Sequence, residues 1–383
     1  MRVLVVTNDY PPRIGGIQNY VERLVAGLVA AGDDVLVYAS SYHGAAEWDA
    51  EQPYRVVRAA TPTMLPTPLV TARVLRLIRE HDAEVVVFGA AFPLGLMGPV
   101  LRARTGVPYV AFTHGLEVSS VRLPGGAAPL RVVGSRAAAV TYVSHWCQDL
   151  LQPAFGGPGR HELLPPAVNP EQFHRDVDGN VVRERYGLSG VPLVVCVARL
   201  VERKGQDQLI AAFDAVRRRV PDAHLLVVGD GPHRGALETQ AERLGHADRV
   251  VFTGSVGEAE LAAHYAAGDV FAMPCRERKG GLEVEAFGIV FIQAQAVGRP
   301  VVAGNIGGVP DALRHGDTGF LVDGTDTAAV ADAVATLLED PERATAMGNI
   351  GADWVADQFT WSARTAQLRE LLATSVRASS GTR

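Results

Sequence analysis

The chain has 383 residues, which is more than one hydrophobic core usually supports. Apolar residues make up 48% of the chain and charged residues 20%, a composition typical of globular proteins and not of fibrous or disordered ones. The net charge of -6 argues against a nucleic-acid partner. We therefore expect two globular domains, with a single large α/β domain as the alternative.

The cysteines and the apolar segments indicate where the protein works. Cys147, Cys196 and Cys275 are odd in number and far apart, which argues against a disulfide framework or a zinc site. The apolar run after Met1-Arg2 is too short for a signal peptide. Residues 85–101 are uncharged but contain prolines and glycines, so we predict a buried strand and a helix there, not a membrane span. A cytoplasmic location fits these features.

Short β-branched runs alternate with amphipathic stretches along the first half of the chain. The predicted strands there are Val3–Val6, Asp34–Tyr38, Glu84–Phe88, Tyr109–Phe112 and Val140–Val143. Alternation of this kind predicts a parallel sheet with helices on its faces.

Prolines at positions 165, 166 and 170 interrupt that pattern, and a second series of strands follows. The strands of this series are predicted at Leu193–Val197, Ala223–Val228, Val250–Thr253, Val270–Met273 and Val301–Val302. We predict domains at residues 1–168 and 169–360, with 361–383 as a helix that packs back on the first domain and ends in a frayed tail. Two doubly wound domains in tandem would face a central cleft, and ligands bind such sheets beyond the carboxyl ends of the strands.

Two loops after predicted strands have residues suited to phosphate. Gly15 and Gly16 precede a helix, where backbone N–H groups can approach an anion. The alternative for this pair is a turn that requires positive φ. In the first loop of the second domain, Arg199 and Lys204 can converge on a diphosphate, unless they are ordinary solvated charges.

The most informative stretch is residues 280–303, which contains Glu285, Phe287-Gly288 and, eight positions after Glu285, Gln293. It resembles family 4 of the glycosyltransferases, retaining enzymes of the GT-B fold, whose signature is a Glu, Phe-Gly and a second Glu eight positions after the first. Other shared motifs occur in the same order along nearly the whole chain. They are the Gly15-Gly16 loop, Thr113-His114-Gly115, Pro166-Ala167-Val168-Asn169, Arg199 with Lys204-Gly205, Val228-Gly229-Asp230-Gly231-Pro232, Phe252-Thr253-Gly254 and Gly307-Gly308-Val309-Pro310-Asp311.

Within that family, residues 8–18, 114–118 and 275–285 look most like the bacterial phosphatidylinositol mannosyltransferases, which use GDP-mannose. The resemblance implies an α/β GT-B fold of two Rossmann-like doubly wound domains, with the nucleotide-sugar on the C-terminal domain and the acceptor on the N-terminal one. It implies a hydroxyl acceptor, for which a phosphatidylinositol-type lipid and a small soluble polyol or aminocyclitol are the candidates.

The resemblance also implies roles for single residues. The donor diphosphate would be met by Gly15 and Gly16 and neutralised by Arg199 and Lys204, and Glu285 would hold hydroxyls of the donor sugar. Further donor contacts would come from Gly254, Val256, Gly288, Ile289 and Val290. His114 would lie near the reaction centre, and Asp9 and Gln18 near the acceptor.

Gln293 departs from the family pattern. The carboxylate at this position accepts hydrogen bonds from both ribose hydroxyls in the family, whereas Gln offers one amide oxygen and a donor. Neutral hydrogen bonds are weaker than charge-assisted ones, so we expect the nucleotide to bind about ten-fold more weakly. A sugar-nucleotide-binding protein with weakened catalysis is therefore an alternative.

Two further segments have residues suited to a metal ion or to a membrane surface. Asp176-Val177-Asp178 spells the D-x-D metal clamp of another glycosyltransferase fold but lies in the expected linker, and Arg199 and Lys204 already supply positive charge. We therefore expect no metal. The arginines among apolar residues at 122–136 are suited either to anionic lipid headgroups or to an ordinary surface helix. They are Arg122, Arg131 and Arg136.

We predict a retaining, metal-independent hexosyltransferase, with mannose favoured, located in the cytoplasm or peripherally on the inner face of the membrane. The expected reaction is front-face displacement, in which the leaving diphosphate takes the acceptor proton. A nucleotide-sugar epimerase is a rival with a similar diphosphate site. A dehydrogenase is the weakest rival, because no G-x-G-x-x-G follows the first strand of either domain.

Overall fold

A computed structural model describes residues 1–13 and 15–380. The chain divides into two compact units, one of Met1–Pro166 with Trp361–Arg383 and the other of Ala167–Thr360. The domain boundary predicted from the sequence lies at residue 168. Each unit is a parallel sheet with helices, so the predicted two-domain doubly wound architecture is confirmed, and the single large α/β domain is not found.

The described residues of the first unit form a seven-stranded sheet in the order β3-β2-β1-β4-β5-β6-β7, with every neighbouring pair parallel. Its strands are β1 (Arg2–Thr7), β2 (Asp34–Ala39), β3 (Arg55–Arg58), β4 (Val85–Phe88), β5 (Tyr109–Phe112), β6 (Ala139–Tyr142) and β7 (Arg160–Leu163). Before the chain leaves this unit it forms α1 (Gly16–Ala30), α2 (Ala45–Ala50), α3 (Pro68–Glu80), α4 (Gly98–Thr105), α5 (Leu116–Val121), α6 (Ala127–Gly134) and α7 (His145–Phe155).

Burial explains which strands could be read from the sequence. All residues of β4, β5 and β6 are buried, as expected of central parallel strands covered on both faces, and their β-branched runs were predicted. The edge strands β3 and β7 are polar and only partly buried, and no strand was predicted there. Edge strands carry such polar residues because one side of each is unpaired.

The second unit has a six-stranded parallel sheet in the order β10-β9-β8-β11-β12-β13. Its strands are β8 (Leu193–Val197), β9 (His224–Val228), β10 (Val250–Gly254), β11 (Val270–Met273), β12 (Val301–Gly304) and β13 (Gly319–Val322). Its helices are α8 (Asn180–Arg185), α9 (Gln206–Arg219), α10 (Arg234–Arg243), α11 (Glu258–Ala267), α12 (Ile289–Ala296), α13 (Thr327–Glu339) and α14 (Pro341–Gln358). The partly exposed edge strand β13 was not predicted.

The chain ends in α15 (Trp361–Ser380), which belongs to the first unit. Leu368, Leu371 and Leu372 lie in the same hydrophobic core as residues of α1. The Arg369 guanidinium binds the buried Asp33 carboxylate at 2.7 Å, and the Met1 ammonium binds it at 2.8 Å. Residues 381–383, at the end of the predicted frayed tail, lie outside the described residues.

The strand order reverses between β1 and β4 in the first unit and between β8 and β11 in the second. Such switch points leave a crevice beyond the carboxyl ends of the strands, where ligands bind in doubly wound sheets. The candidate functional residues lie in the loops beside these two points. Among the described residues, no helix is both long and apolar enough to cross a bilayer.

Candidate active site

The loop after β8 is held against the end of β11 by Gly205. This residue has φ +78°, and a Cβ atom there would lie 1.9 Å from the Pro274 carbonyl oxygen. Only glycine allows both the left-handed backbone and this close approach. Glu202–Lys204 form a short 3-10 helix just before it, which places the Lys204 side chain in the interior, 8% exposed.

Lys204 and Arg203 share one carboxylate oxygen. The Lys204 Nζ atom lies 2.5 Å from Glu285 Oε2, and the Arg203 Nη1 atom lies 2.7 Å from the same oxygen. Burial opposes ionisation of Glu285, but the two cations outweigh it and lower the pKa of this carboxyl. The other oxygen, Oε1, has no hydrogen-bond partner among the described residues. The second unit therefore presents an ionised carboxylate with one oxygen available to hydroxyl groups.

Arg199 lies in the same loop but is placed differently. Its side chain is exposed, and its main-chain carbonyl accepts a hydrogen bond from Gln206. In residues 1–13 and 15–380, no hydrogen bond or ion pair engages its guanidinium. The two cations predicted to act together are thus not equivalent in the unliganded chain, because Lys204 is already paired with Glu285.

The signature segment turns into α12 at Gly288. This residue has φ +90°, and a Cβ atom there would lie 2.4 Å from the Phe291 ring. The adjacent Glu285 carbonyl accepts the main-chain N–H of Gly308 at 3.0 Å, which fixes the segment to the loop after β12. Ile289 and Val290 form the first turn of α12, where main-chain N–H groups lack intrahelical partners and favour an anion.

Gln293, one turn further along α12, has its amide oxygen engaged. The buried Tyr265 hydroxyl donates to Gln293 Oε1 at 2.9 Å, and burial keeps the pKa of that phenol well above its ordinary value. The Gln293 Nε2 amide group and the second lone pair of Oε1 are still able to bond a ligand. Gly254, at the end of β10, accepts the Gly229 N–H at 2.9 Å, and the partly buried Val256 lies just beyond it.

In the first unit, His114 follows β5 directly. Its Nε2 atom lies 2.6 Å from the Gly89 carbonyl oxygen, and a carbonyl only accepts, so Nε2 carries the proton. Burial lowers the pKa of the imidazole to about 4, and the Tyr20 ring contacts it edge-on at 5.2 Å. His114 is thus neutral near pH 7, with a lone pair on Nδ1.

The structure contradicts one of the two explanations given for the Gly15-Gly16 loop of the first unit. Gly15 has φ 170°, which is extended backbone, and Gly16 begins α1, so the expectation of a turn that requires positive φ is wrong. A Cβ atom at Gly15 would instead lie 2.2 Å from the Gln18 amide oxygen. Gln18 folds over Gly15, and its Nε2 atom donates to Asp9 Oδ1 at 2.7 Å. None of the described residues would lie within 4 Å of a Cβ atom at Gly16, so its backbone is open to approach from them.

Asp176 and Asp178 are exposed on the loop before α8, inside the second unit rather than in a linker. The Asp178 carboxylate accepts the Asn180 N–H at 2.9 Å, as in an ordinary turn. Within the described part of the chain, no group of three or more His, Cys, Asp or Glu side chains is arranged to hold a metal ion. The three cysteines are buried thiols.

The predicted basic segment carries both charge and apolar surface. Arg122, Arg131 and Arg136 are all exposed. The apolar side chains exposed in the same segment of α5 and α6 are Leu116 at 67%, Leu123 at 55% and Val132 at 47%. We call these six residues the basic apolar patch.

Three residues in these clusters had no role in the prediction. Arg203 adjoins Lys204 in sequence and could have been found as a second cation of the loop. Glu117 is a carboxyl inside an otherwise apolar segment, which is a signal that sequence alone provides. Tyr265 had no such signal, because a tyrosine on a helix is most often a core residue.

A parallel doubly wound sheet in each unit, with cations and a carboxylate at one switch point, defines a GT-B glycosyltransferase. Two family models match the chain: Glycosyltransferase Family 4 over residues 14–172, and Glycosyl transferases group 1 over residues 181–354. The chain belongs to family 4 of the glycosyltransferases, as the sequence predicted, and is a hexosyltransferase.

The relatives agree with this assignment. The chain is 50% identical, over 97% of its own length and 98% of the relative's, to a GDP-mannose-dependent alpha-(1-6)-phosphatidylinositol monomannoside mannosyltransferase of Mycolicibacterium smegmatis. A monoacylated phosphatidylinositol monomannoside mannosyltransferase of Corynebacterium glutamicum is 37% identical, over 97% of both chains. Sucrose-phosphate synthase from Thermosynechococcus elongatus superposes with a TM-score of 0.80 at 25% identity, covering 99% of this chain and 100% of that one. The epimerase and dehydrogenase alternatives are therefore not supported.

Proposed function

We propose that this protein transfers mannose from GDP-mannose to a phosphatidylinositol-type acceptor with retention of configuration. The observation that carries the proposal is the partly buried Glu285 carboxylate, held charged by Lys204 and Arg203 with one oxygen unpaired among the described residues. An ionised acceptor of this kind fits sugar hydroxyls. The names of the relatives support mannose as the sugar and a phosphatidylinositol mannoside as the acceptor class.

The cations have separate tasks in this proposal. Arg199 is unpaired and meets the diphosphate first. Lys204 moves from Glu285 to the diphosphate when the donor binds, before negative charge develops on the leaving group, and Arg203 remains to neutralise Glu285. Charge stabilisation of this kind contributes most when the groups are already in place before the reaction. No metal ion is needed in this scheme, because the cations and the first turn of α12 supply the positive charge.

In this proposal, residues of the first unit contact the donor sugar, the diphosphate and the acceptor. Neutral His114 accepts a hydrogen bond from a donor-sugar hydroxyl through Nδ1, and the open backbone at Gly16 contacts the diphosphate. Asp9 and Gln18, already bonded to each other, contact the acceptor. The acceptor hydroxyl attacks from the face that the diphosphate leaves, and a diphosphate oxygen takes its proton.

The basic apolar patch provides a peripheral contact with anionic lipid in this proposal. Arginines bind phosphate headgroups, and exposed leucine and valine side chains enter the interface. Cosedimentation with vesicles of phosphatidylcholine alone or with phosphatidylinositol tests this contact. Binding that requires phosphatidylinositol and is lost on joint replacement of Arg122, Arg131 and Arg136 by Ala supports it, and equal binding in all cases contradicts it.

A second candidate function is sugar-nucleotide binding with weakened catalysis, which Gln293 favours. Calorimetry with GDP-mannose, together with product analysis on phosphatidylinositol, phosphatidylinositol monomannoside and soluble inositol, separates the two. We expect an α-linked mannosyl product on the lipid acceptor. Donor binding without any product would favour the second function, and a product on inositol alone would identify a soluble acceptor. GDP, UDP and ADP compared by thermal shift identify the base, since a ligand at 100 times its Kd stabilises the fold by about 2.7 kcal/mol.

A further inference from the structure

Glu117 is a buried carboxyl that the proposed reaction does not use. It is 3% exposed and lies at the second position of α5, where the chain turns after β5. A buried carboxyl must be hydrogen-bonded or protonated, because an isolated charge is very costly away from water. Its partners therefore show what it stabilises.

The partners of Glu117 are main-chain groups of the turn that carries His114. The His114 N–H donates to Glu117 Oε2 at 3.2 Å. The N–H groups of Gly115 and of Glu117 itself also lie near this carboxyl and favour its ionised form. Gly115 has φ +88°, the left-handed backbone that brings these N–H groups to one point. Glu117 thus closes the turn of residues 114–117 around its own side chain.

The imidazole of His114 is fixed from its other end. Its Nε2–H group donates to the Gly89 carbonyl, and the Tyr20 ring contacts it edge-on. His114 is therefore held at two points: Gly89 binds the Nε2–H group of the ring, and Glu117 binds the main-chain N–H. If the turn moves, Nδ1 moves with it.

We propose that Glu117 is a positioning residue, whose carboxylate fixes the turn of residues 114–117 so that His114 Nδ1 is held toward the donor sugar. This inference rests on the proposed function, because it concerns the aim of His114 in that reaction. Glu117 itself contacts neither substrate nor the reacting atoms in this scheme.

The charge of Glu117 is set by the groups around it. Burial, with a smaller contribution from the nearby Asp9 carboxyl in the loop after β1, raises the pKa of this carboxyl to about 7. The Tyr142 phenol on β6 is also close, since Glu117 raises the pKa of Tyr142. The helix packed against α5 is α7, and its titratable side chains are the exposed His145 and Asp149 and the buried Cys147. Ionised carboxylates accept N–H bonds more strongly than neutral acids, so the turn is held most firmly above pH 7.

The first test is the pH dependence of mannosyl transfer from GDP-mannose to phosphatidylinositol monomannoside in Glu117→Gln and Glu117→Ala. Wild type should lose kcat as the pH falls through about 7. His114 cannot cause that loss, because its pKa is about 4. Glu117→Gln keeps an acceptor oxygen, so it should stay within about ten-fold of wild type at pH 8 and lose the acid limb. Glu117→Ala should lower kcat about 10²-fold, as expected when a reacting group is misplaced by about 1 Å, with an unchanged KM for GDP-mannose.

The second test does not depend on activity. The main-chain amide of His114, followed by NMR, should titrate with a midpoint near pH 7 in wild type and in the control Glu80→Gln, and not in Glu117→Gln. Glu80 is exposed on α3 and, in the part of the chain that the structure describes, pairs with Arg76. Because Glu117→Gln is nearly isosteric, this test remains possible if Glu117→Ala fails to fold.

The outcomes separate the two proposals. A His114 amide that is independent of pH between 5 and 9, or normal kcat and pH dependence in folded Glu117→Gln and Glu117→Ala, overturns the role of Glu117 alone. If wild type transfers no mannose to any phosphatidylinositol acceptor, the proposed function fails, and the positioning role fails with it. Loss of the acid limb together with loss of the amide titration supports both.

Discussion

In the second unit, Lys204 and Arg203 keep the partly buried Glu285 carboxyl ionised, whereas in the first unit burial shifts His114 and Glu117 toward their neutral forms. Both clusters lie beyond the carboxyl ends of parallel strands, beside the point where the strand order reverses. The backbone architecture is therefore shared, and the difference comes from side chains in the loops. Paired cations suit a cluster that must receive a charged diphosphate, and the neutral imidazole of His114 suits one that must accept a hydrogen bond from a hydroxyl group.

Removing a cation from the charged cluster should have the largest effect. Lys204→Ala or Arg199→Ala should lower kcat about 10²- to 10³-fold with little loss of fold, because each removes charge stabilisation from the leaving diphosphate. Single-turnover kinetics with GDP-mannose provides the measurement. Lys279→Ala is the matched control, since Lys279 is exposed and pairs with Glu283. Near-normal turnover in both site variants would exclude the assigned role of these cations.

The cluster of His114 and Glu117 in the first unit should make the stability of the protein depend on pH. The pKa of Glu117 lies near 7 in the folded chain, against an ordinary value of 4.5. A raised carboxyl pKa contributes stability that is complete below about pH 4.5 and is lost as the pH rises through 7. Glu117→Gln removes this dependence. The free energy of unfolding of the variant, relative to that of wild type, should therefore rise by up to about 3 kcal/mol between pH 5 and pH 8. Urea unfolding at both pH values measures the gain, and parallel curves for the two proteins would contradict it.

A smaller effect is expected at Gln293. Its amide oxygen already accepts the Tyr265 hydroxyl. In Gln293→Glu one carboxylate oxygen can keep that bond while the other accepts from the ribose, so donor binding should tighten by roughly 1–2 kcal/mol, or about 5- to 30-fold. The change should appear in KM for GDP-mannose and not in kcat, because ribose contacts are present in ground and transition states alike. A 2′-deoxyribose donor should lose the gain; unchanged or weaker binding would mean that the ribose lies elsewhere.

The smallest expected effect is that of chelation. Because protein cations neutralise the diphosphate in the proposed scheme, saturating EDTA should leave the rate of mannosyl transfer unchanged. A loss of rate that Mg²⁺ or Mn²⁺ restores would show that the charge of the diphosphate is met in another way.

The sequence predicted the central strands well because strands buried on both faces must be apolar, as in β8 and β11. It missed β3 and β7, whose positions at sheet edges permit polar residues, and the short edge strand β13, which begins at a glycine. For the candidate site, residue types and motif order identified Glu285, Lys204 and His114. Their pairing was not predictable, because contacts such as Lys204 with Glu285 join loops 81 positions apart and depend on how β8 and β11 lie side by side.

The placement of α15 has a consequence for how the protein is made. The chain leaves the first unit at Pro166, builds all of the second, and returns at Trp361. The hydrophobic core to which α1 contributes is then completed by residues more than three hundred positions later. They are Leu368, Leu371 and Leu372. During synthesis from the amino terminus, the second unit can therefore finish folding while the first still exposes an apolar surface beside α1. The first unit can close only after the ribosome has released α15.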